Sequence, residues 1–277
     1  MRPRGRLEAL ALLSSGALFG ALAASFHASR GVRTDAGRAH VSQLLSKRFD
    51  FTKVDRLLVV PGGGPGRDGL PLWTRQRCDS MLRAYSALTK DQRAKTAVLL
   101  LSAGSMNAPS PRDASGAILF ESVAMARYVS TAPVSPPAAA VLCDTASWDT
   151  VGNAVAARSV VDALLWLNRG PLSIEIHVSD FHADRTQAAM LWALEAAPAV
   201  DVRLSVVAVS SKGLEWTESD REMRAAHERQ ATLDMAANQE AMPSHKALKA
   251  FIDLQAHQGS FRFTHEVYAP SRGAGWG

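Results

Sequence analysis

From Arg56 onward, short apolar runs rich in β-branched residues alternate with longer amphipathic stretches. This alternation is typical of βαβ units, in which helices cover both faces of a mostly parallel sheet. We therefore predict an α/β fold, a three-layer sandwich with about five strands and further helices at the C-terminal end. The predicted strands cover residues 57–60, 97–101, 139–143, 173–178 and 202–209.

Helical periodicity and capping residues predict the intervening helices. Apolar residues at i, i+3, i+4 and i+7 indicate a first helix over residues 72–88. Asp149 is a natural N-cap for a later helix, which should stop at the Gly-Pro pair at 170–171. Ser219 and Glu222 fit a capping box that opens a long helix to about residue 240. The mixed charges of that last helix indicate a solvent-exposed face.

The first 30 residues form a signal-like or membrane-anchoring segment. Three arginines precede an uncharged apolar run over residues 9–26. A helix of that length spans about 27 Å, close to the thickness of the hydrocarbon core. We expect a single-pass anchor, and a cleaved secretory signal and a mitochondrial presequence remain open as alternatives. One Rossmann-like domain should then occupy residues 50–270.

The distribution of charge excludes a nucleic-acid partner. The chain has a formal net charge of +5, but six arginines against Glu8 and Asp35 place four of those charges in residues 1–40. The rest is nearly neutral and lacks a basic stripe with interleaved aromatic residues. Two cysteines cannot build a disulfide framework, and no histidines or cysteines show metal-ligand spacing, so we expect no metal site.

Ligands of open parallel sheets bind beyond the carboxyl ends of the strands, where this chain has unusual loops. The loop after the first strand is almost free of side chains, and the loop after the second is small and rich in donors. Backbone N–H groups in such loops can approach an anion closely. The candidate ligand-binding residues in these two loops are Gly62, Gly63, Gly64, Ser102, Gly104 and Ser105.

Polar residues also follow the third strand. Asp149 and Thr150 open the next helix, and Asn153 lies on its first turn. An N-cap explains Asp149, but asparagine is a poor helix former whose amide must find a partner. Glu121, on the helix after the second loop, either faces the crevice or is a solvated helical charge.

The segment after the fourth strand carries the clearest chemistry. Ser179 ends the strand, and His182 and Arg185 share one face of the first helical turn. An imidazole, a guanidinium and a helix N-terminus together suit an anion, and the imidazole can exchange a proton. The alternative is that Arg185 pairs at the surface with Asp184 or Glu195, and that His182 is an ordinary loop residue.

Taken in order, these segments resemble one family over residues 56–210. The residues that carry the resemblance are Val59-Val60-Pro61-Gly62-Gly63-Gly64, Leu101-Ser102-Ala103-Gly104, Glu121-x-x-x-Met125, Asp149-Thr150-x-x-Asn153-Ala154 and Ser179-x-Phe181-His182-x-x-Arg185. They resemble the domain-of-unknown-function family of the bacterial envelope proteins SanA, ElyC and YdcF. The resemblance implies a Rossmann-like fold behind a membrane segment, and YdcF-like members are associated with S-adenosylmethionine. The family's polar positions fall on Gly63, Gly64, Ser102, Gly104, Glu121, Thr150, Asn153, His182 and Arg185.

Three functions of different classes are open. The first is a hydrolase or transferase acting on a small anionic substrate, phosphorylated or linked to a lipid carrier, with His182, Arg185 and Asn153 as its catalytic residues. The second is a module that binds S-adenosylmethionine or another nucleotide. The third is a non-catalytic envelope or organelle factor that works through protein contacts at a membrane.

Overall fold

The computed structural model describes residues 49–64, 70–105, 119–168, 170–195 and 202–244. The five strands are β1 (Arg56–Pro61), β2 (Thr96–Leu101), β3 (Val141–Cys143), β4 (Leu172–Ser179) and β5 (Val202–Val209). The helices in the described ranges are α1 (Leu72–Ala87), α2 (Lys90–Ala94), α3 (Glu121–Val129), α4 (Thr150–Asn168), α5 (Ala183–Glu195) and α6 (Glu218–Ala241). Short 3-10 turns cover Phe51–Lys53, Ala138–Ala140 and Asp180–His182.

All five strands are parallel and lie in the order β3-β2-β1-β4-β5. The predicted α/β fold with a parallel, Rossmann-like sheet is therefore confirmed. From β1 the chain builds outward through β2 to β3, then crosses over to place β4 on the other side of β1. This reversal makes the carboxyl ends of β1 and β4 the topological switch point, where open α/β sheets form their ligand crevice.

Two apolar clusters cover the two faces of the sheet. Leu57 and Val59 point into one with residues of α4 and α5, whereas Leu58 and Val60 point into the other with residues of α1 and α3. Successive side chains of a strand face opposite sides, so β1 is apolar at every position from Leu57 to Val60 because helices cover both faces. Strand β5 differs, since its burial alternates and Arg203 and Ser205 are exposed.

Most predicted helix ends are confirmed, but the start of α6 is not. The amide of Gly152 donates to the Asp149 carboxylate over 2.6 Å, so Asp149 caps α4 as predicted. The capping box of α6 is formed by Thr217 and Asp220, two residues before the predicted pair. It forms there because the Asp220 carboxylate accepts from the Thr217 amide over 2.9 Å while the Asp220 amide donates to the Thr217 hydroxyl over 3.1 Å.

Both cysteines are protonated thiols at neutral pH. Cys78 is buried on α1 and Cys143 ends β3, both as free thiols. Burial raises the pKa of each thiol to about 12.

The predicted N-terminal segment, residues 1–30, lies outside the described residues. Across the ranges that are described, no helix is both long enough and apolar enough to cross a membrane.

Candidate functional site

A buried arginine joins the two sides of the switch point. Arg77, on α1, is 1% exposed. Its Nη1 donates to the carbonyls of Pro61 and Gly62 over 3.0 and 2.9 Å, and its Nε donates to the Ser179 hydroxyl over 2.9 Å. Burial lowers the pKa of this guanidinium to about 10, so it stays charged at neutral pH. One side chain thus holds the end of β1 against the end of β4.

The glycine loop after β1 encloses the carboxylate of Glu121. Oε1 accepts from the Gly63 amide over 2.8 Å and lies 3.4 Å from the Thr74 hydroxyl, while Oε2 accepts from the Gly64 amide over 3.2 Å and lies 3.0 Å from the Ser102 hydroxyl. Burial raises the pKa of Glu121, against the lowering effect of these hydrogen bonds. Glu121 therefore faces the crevice and is not a solvated helical charge.

The close fit explains why this loop needs glycine. A Cβ at Gly62 would overlap the Glu121 carboxylate and come within 2.6 Å of the Ser102 Cβ. A Cβ at Gly63 would overlap the Trp73 indole, whose Nε1 donates to the Gly63 carbonyl over 3.0 Å. Gly64 has a φ of +97°, a backbone conformation that disfavours other residues.

The loop after β2 holds Ser102 in a strained conformation. Ser102 has a φ of +108°, and its hydroxyl lies within hydrogen-bond distance of Glu121 and of the Gly104 carbonyl. Ser105 is half-buried beside the glycine loop: a Cβ added at Gly64 would lie 3.7 Å from the Cβ of Ser105. Strain of this kind in a loop beside a crevice is typical of functional sites.

The residues after β3 form a separate buried network. Asp144 binds the Ser147 hydroxyl and accepts from the Ser102 amide over 3.3 Å. The Ser147 hydroxyl also lies 2.5 Å from Oδ1 of Asn153. Asn153 is therefore bonded to Ser147 and not to His182, and Thr150 is half-buried beside it on α4. The structure thus places Asn153 with the β2 and β3 loops, apart from the histidine.

His182 and Arg185 lie together, as predicted, but their partner is Glu228 on α6. Nδ1 of His182 lies 3.0 Å from Oε2 of Glu228 and 2.9 Å from Nη2 of Arg185. Arg185 Nε also lies 2.8 Å from Oε2 of Glu228. The alternative, in which Arg185 pairs at the surface with Asp184 or Glu195, did not include Glu228, whose carboxylate comes from a distant helix.

Glu228 is the centre of this cluster. It is 6% exposed, so the prediction of a solvated face for α6 is wrong at this position. Arg224 lies one turn earlier on α6, and its Nε is 3.0 Å from Oε1 of Glu228. Burial would raise the pKa of Glu228, but the hydrogen bond from His182 and the neighbouring charges lower it to about 2. The carboxylate stays ionised.

His182 is held neutral. Burial, aided by the positive charges of Arg185 and Arg77, lowers its pKa to about 3. A neutral imidazole carries one proton, so Nδ1 either donates to Glu228 or accepts from Arg185 at a given moment. In the first case Nε2 is a proton acceptor, and in the second it is a donor. Glu228 and Arg185 therefore compete to set the tautomer.

An aromatic cluster borders the histidine. The rings of Phe181 and Trp216 are 4.9 Å apart, and Trp216 lies 6.2 Å from Trp73. The Arg224 guanidinium lies 5.0 Å from the Phe181 ring centre. All three aromatic residues are half-buried. They connect the glycine loop, through Trp73, to the His182 cluster.

Sequence reasoning missed Arg77, Arg224 and Glu228. Arg77 sits between Thr74 and Met81 on the buried face of α1. A charge on an apolar helix face is a usable signal, because such a charge must have buried partners. Glu228 and Arg224 are one turn apart among many charges of α6, and nothing in their spacing separates them from exposed neighbours. His177, on β4, is 1% exposed, and its Nδ1 lies 3.0 Å from the Ser80 hydroxyl.

Comparison with known proteins identifies no relative. No protein-family model matches the chain, and no curated protein or solved structure matches it. The resemblance to the SanA, ElyC and YdcF family therefore stays a prediction carried by the five sequence segments alone.

Proposed function

We propose that the crevice at the ends of β1 and β4 binds a small anionic, nucleotide-like molecule and acts on it as a hydrolase or transferase of a phosphorylated substrate. The observation that carries this proposal is the convergence of Arg185 and Arg224 on the same buried carboxylate as a neutral His182. Arg77 lies within electrostatic range of this cluster. Three guanidinium groups, those of Arg77, Arg185 and Arg224, therefore lie near the single carboxylate of Glu228.

The arginines are better placed for a ligand than the glycine loop. The Arg185 and Arg224 side chains keep 18% and 26% of their surface exposed, whereas Glu228 keeps 7%. They can therefore reach a group arriving from solvent while staying paired. The amides of Gly63 and Gly64 are already bonded to Glu121. Guanidinium groups bind phosphate and carboxylate in bidentate fashion.

His182 supplies the proton transfer. With Nδ1–H donating to Glu228, Nε2 takes a proton from an attacking water or alcohol as its oxygen bonds to phosphorus and the bond to the leaving oxygen breaks. The arginines then balance the negative charge of the transferring group. Positioned acid–base help contributes roughly 10²–10⁴-fold to a rate.

Ligand binding is tested by thermal shift on the full-length chain. The panel is inorganic phosphate, adenosine mono-, di- and triphosphate, S-adenosylmethionine and adenosine. A ligand at 100 times its Kd stabilises by about 2.7 kcal/mol. Arg224→Met should lose the response, while Arg221→Met should keep it, because Arg221 lies on the same helix but pairs at the surface with Glu218. Equal responses of the two variants would reject the site.

A nucleotide-binding module without turnover is the second candidate, and the aromatic cluster favours it. A nucleobase can stack on half-buried rings beside cationic groups. Turnover separates the two candidates: if a panel of phosphate esters is hydrolysed, His182→Ala should abolish the reaction and keep binding. Binding without any hydrolysis, or hydrolysis that survives His182→Ala, removes the proposed role of His182.

The membrane location of this site is also a proposal, based on residues 1–30. An anchor there would hold the crevice near a substrate carried by a lipid. Full-length protein should stay with membranes after a carbonate wash, and extraction into the soluble fraction would reject the anchor.

A further inference from the structure

Four donors from three parts of the chain converge on the Glu121 carboxylate. They are the amides of Gly63 and Gly64, the Thr74 hydroxyl on α1 and the Ser102 hydroxyl after β2. We call these four groups the anion seat. Glu121 is 3% exposed, and no ion pair joins its carboxylate to a cation of the described residues.

We propose that the anion seat is a binding site for a carboxylate, that Glu121 is its built-in occupant, and that a small external carboxylate enters when the Glu121 side chain is removed. This inference does not depend on the proposed function, because it concerns a different set of donors. In this role Glu121 holds the glycine loop in place through the amides of Gly63 and Gly64.

The chemistry of the seat selects a carboxylate. The two amides are fixed donors, one to each carboxylate oxygen, so the seat presents a hydrogen atom to both oxygens. The Thr74 hydroxyl can add a further donor, and the single Ser102 proton is shared between Glu121 and the Gly104 carbonyl. A carboxylate accepts at both oxygens, whereas a primary amide would turn an NH₂ group toward one of the fixed donors. A carboxylate also suits the first turn of α3, where negative charge is favoured. Acetate matches the end of the Glu121 side chain in size and charge.

The close fit of the glycine loop around the Glu121 carboxylate shows that the folded protein holds the four groups of the anion seat in a conformation that matches a carboxylate. A Cβ at Gly62 would meet Glu121, and Gly64 and Ser102 both have positive φ values, +97° and +108°. The loop adopts these conformations while bonded to Glu121. Phosphate, with its larger tetrahedral group, should fit less well than a planar carboxylate.

The test is chemical rescue of full-length Glu121→Ala, followed by thermal unfolding. Sodium acetate should raise the melting temperature of this variant by several degrees in a saturable way, and acetamide at equal concentration should not. Met125→Ala is the matched control, since Met125 is fully buried one turn further along α3 and its removal leaves a cavity without these donors. Relative to sodium chloride, acetate should raise the melting temperature of Glu121→Ala more than those of wild type and Met125→Ala, because all three proteins share Arg185 and Arg224 and only Glu121→Ala has the empty seat.

A second pair covers the case in which Glu121→Ala does not fold. Glu121→Asp and Glu121→Asn have side chains of equal size and differ in charge and in one donor group. The aspartate variant should melt at the higher temperature. An asparagine variant of equal or greater stability, or a Glu121→Ala variant that responds to acetamide as well as to acetate, would overturn the proposal. Arg185 and Arg224 are unchanged in these variants, so a negative result for the anion seat does not affect the proposed function.

Discussion

Nδ1 of His182 lies 3.0 Å from Oε2 of Glu228, although 46 positions separate the two residues in the chain. The contact joins the turn after β4 to the long C-terminal helix α6. It also places the one buried carboxylate of α6 next to two arginines. Helix α6, which packs on α5 and on the turn after β4, is therefore part of the candidate site.

Replacing the Glu228 carboxylate by an amide should destabilise the fold. Glu228→Gln removes the carboxylate that Arg185 and Arg224 share. Breaking a fully buried pair costs about 3–5 kcal/mol, and partial exposure of both arginines should reduce that to about 2–3 kcal/mol. Urea unfolding of the full-length chain measures the change.

Glu218 provides the matched control on the same helix. Its side chain is 80% exposed and pairs with Arg221 over 3.6 Å. Surface pairs contribute about 0–1 kcal/mol, so Glu218→Gln should be nearly neutral. Equal losses in the two variants would show that Glu228 does not hold the cluster together.

His182 should make stability depend on pH. Its pKa falls from the ordinary value of 6.5 to about 3 on folding. Below pH 6.5 the unfolded chain therefore binds a proton that the folded chain refuses until about pH 3, so stability falls as the pH drops through this window. His182→Gln should remove up to about 1.4 kcal/mol per pH unit from the slope. Urea unfolding of both proteins at pH 7, 6 and 5 gives the slope of the unfolding free energy against pH. Identical slopes for wild type and His182→Gln would contradict this role of His182.

The pKa shifts of Glu228 and Glu121 do not disturb the comparison of wild type with His182→Gln. The lowered pKa of Glu228 removes stability only below its ordinary value of 4.5. The raised pKa of Glu121 has the opposite sign, because the folded chain then binds the proton more readily than the unfolded one. The contribution of Glu121 is shared by wild type and His182→Gln, and that of Glu228 falls below the measured range of pH 5 to 7. The difference between the two slopes therefore isolates the histidine.

The sheet could be predicted because its signals are local. Apolar runs and helical spacing predict β1, β2, β4 and α1 to within a residue or two, and the side chain of Asp149 caps α4. Loops at the carboxyl ends of parallel strands must share one edge of the sheet, so the sequence also predicts where Ser102 and His182 lie, whereas it left the position of Glu121 open. Fold and site location follow from local pattern and from one topological rule.

The partners in the site could not be predicted, because they depend on how helices pack. Glu228 reaches His182 through the docking of α6, and Arg77 reaches Ser179 across 102 positions. The glycine loop looked like a cradle for an external anion, yet its amides bind Glu121. Asn153 stood out as a residue in need of a partner, and that partner is Ser147.

Arg77 should be the most sensitive residue of the switch point. Arg77→Met keeps the volume but leaves two carbonyls and a hydroxyl without their donor, which should cost about 3 kcal/mol or more. Arg77→Lys should recover part of the loss, because an ammonium group can still donate to one or two of them. Arg83→Met, at an exposed position of α1, is the control and should be nearly neutral. Thermal and urea unfolding would contradict the role of Arg77 if both methionine variants behaved alike.

We expect Arg185 and Arg224, in the crevice at the ends of β1 and β4, to bind an anion. Mass spectrometry of the small molecules released on denaturing the purified full-length protein tests it most directly. Wild type and Arg221→Met should release the same anionic, nucleotide-like molecule, and Arg224→Met should release at least tenfold less of it. Equal amounts from Arg221→Met and Arg224→Met, or a released molecule without an anionic group, would contradict the claim.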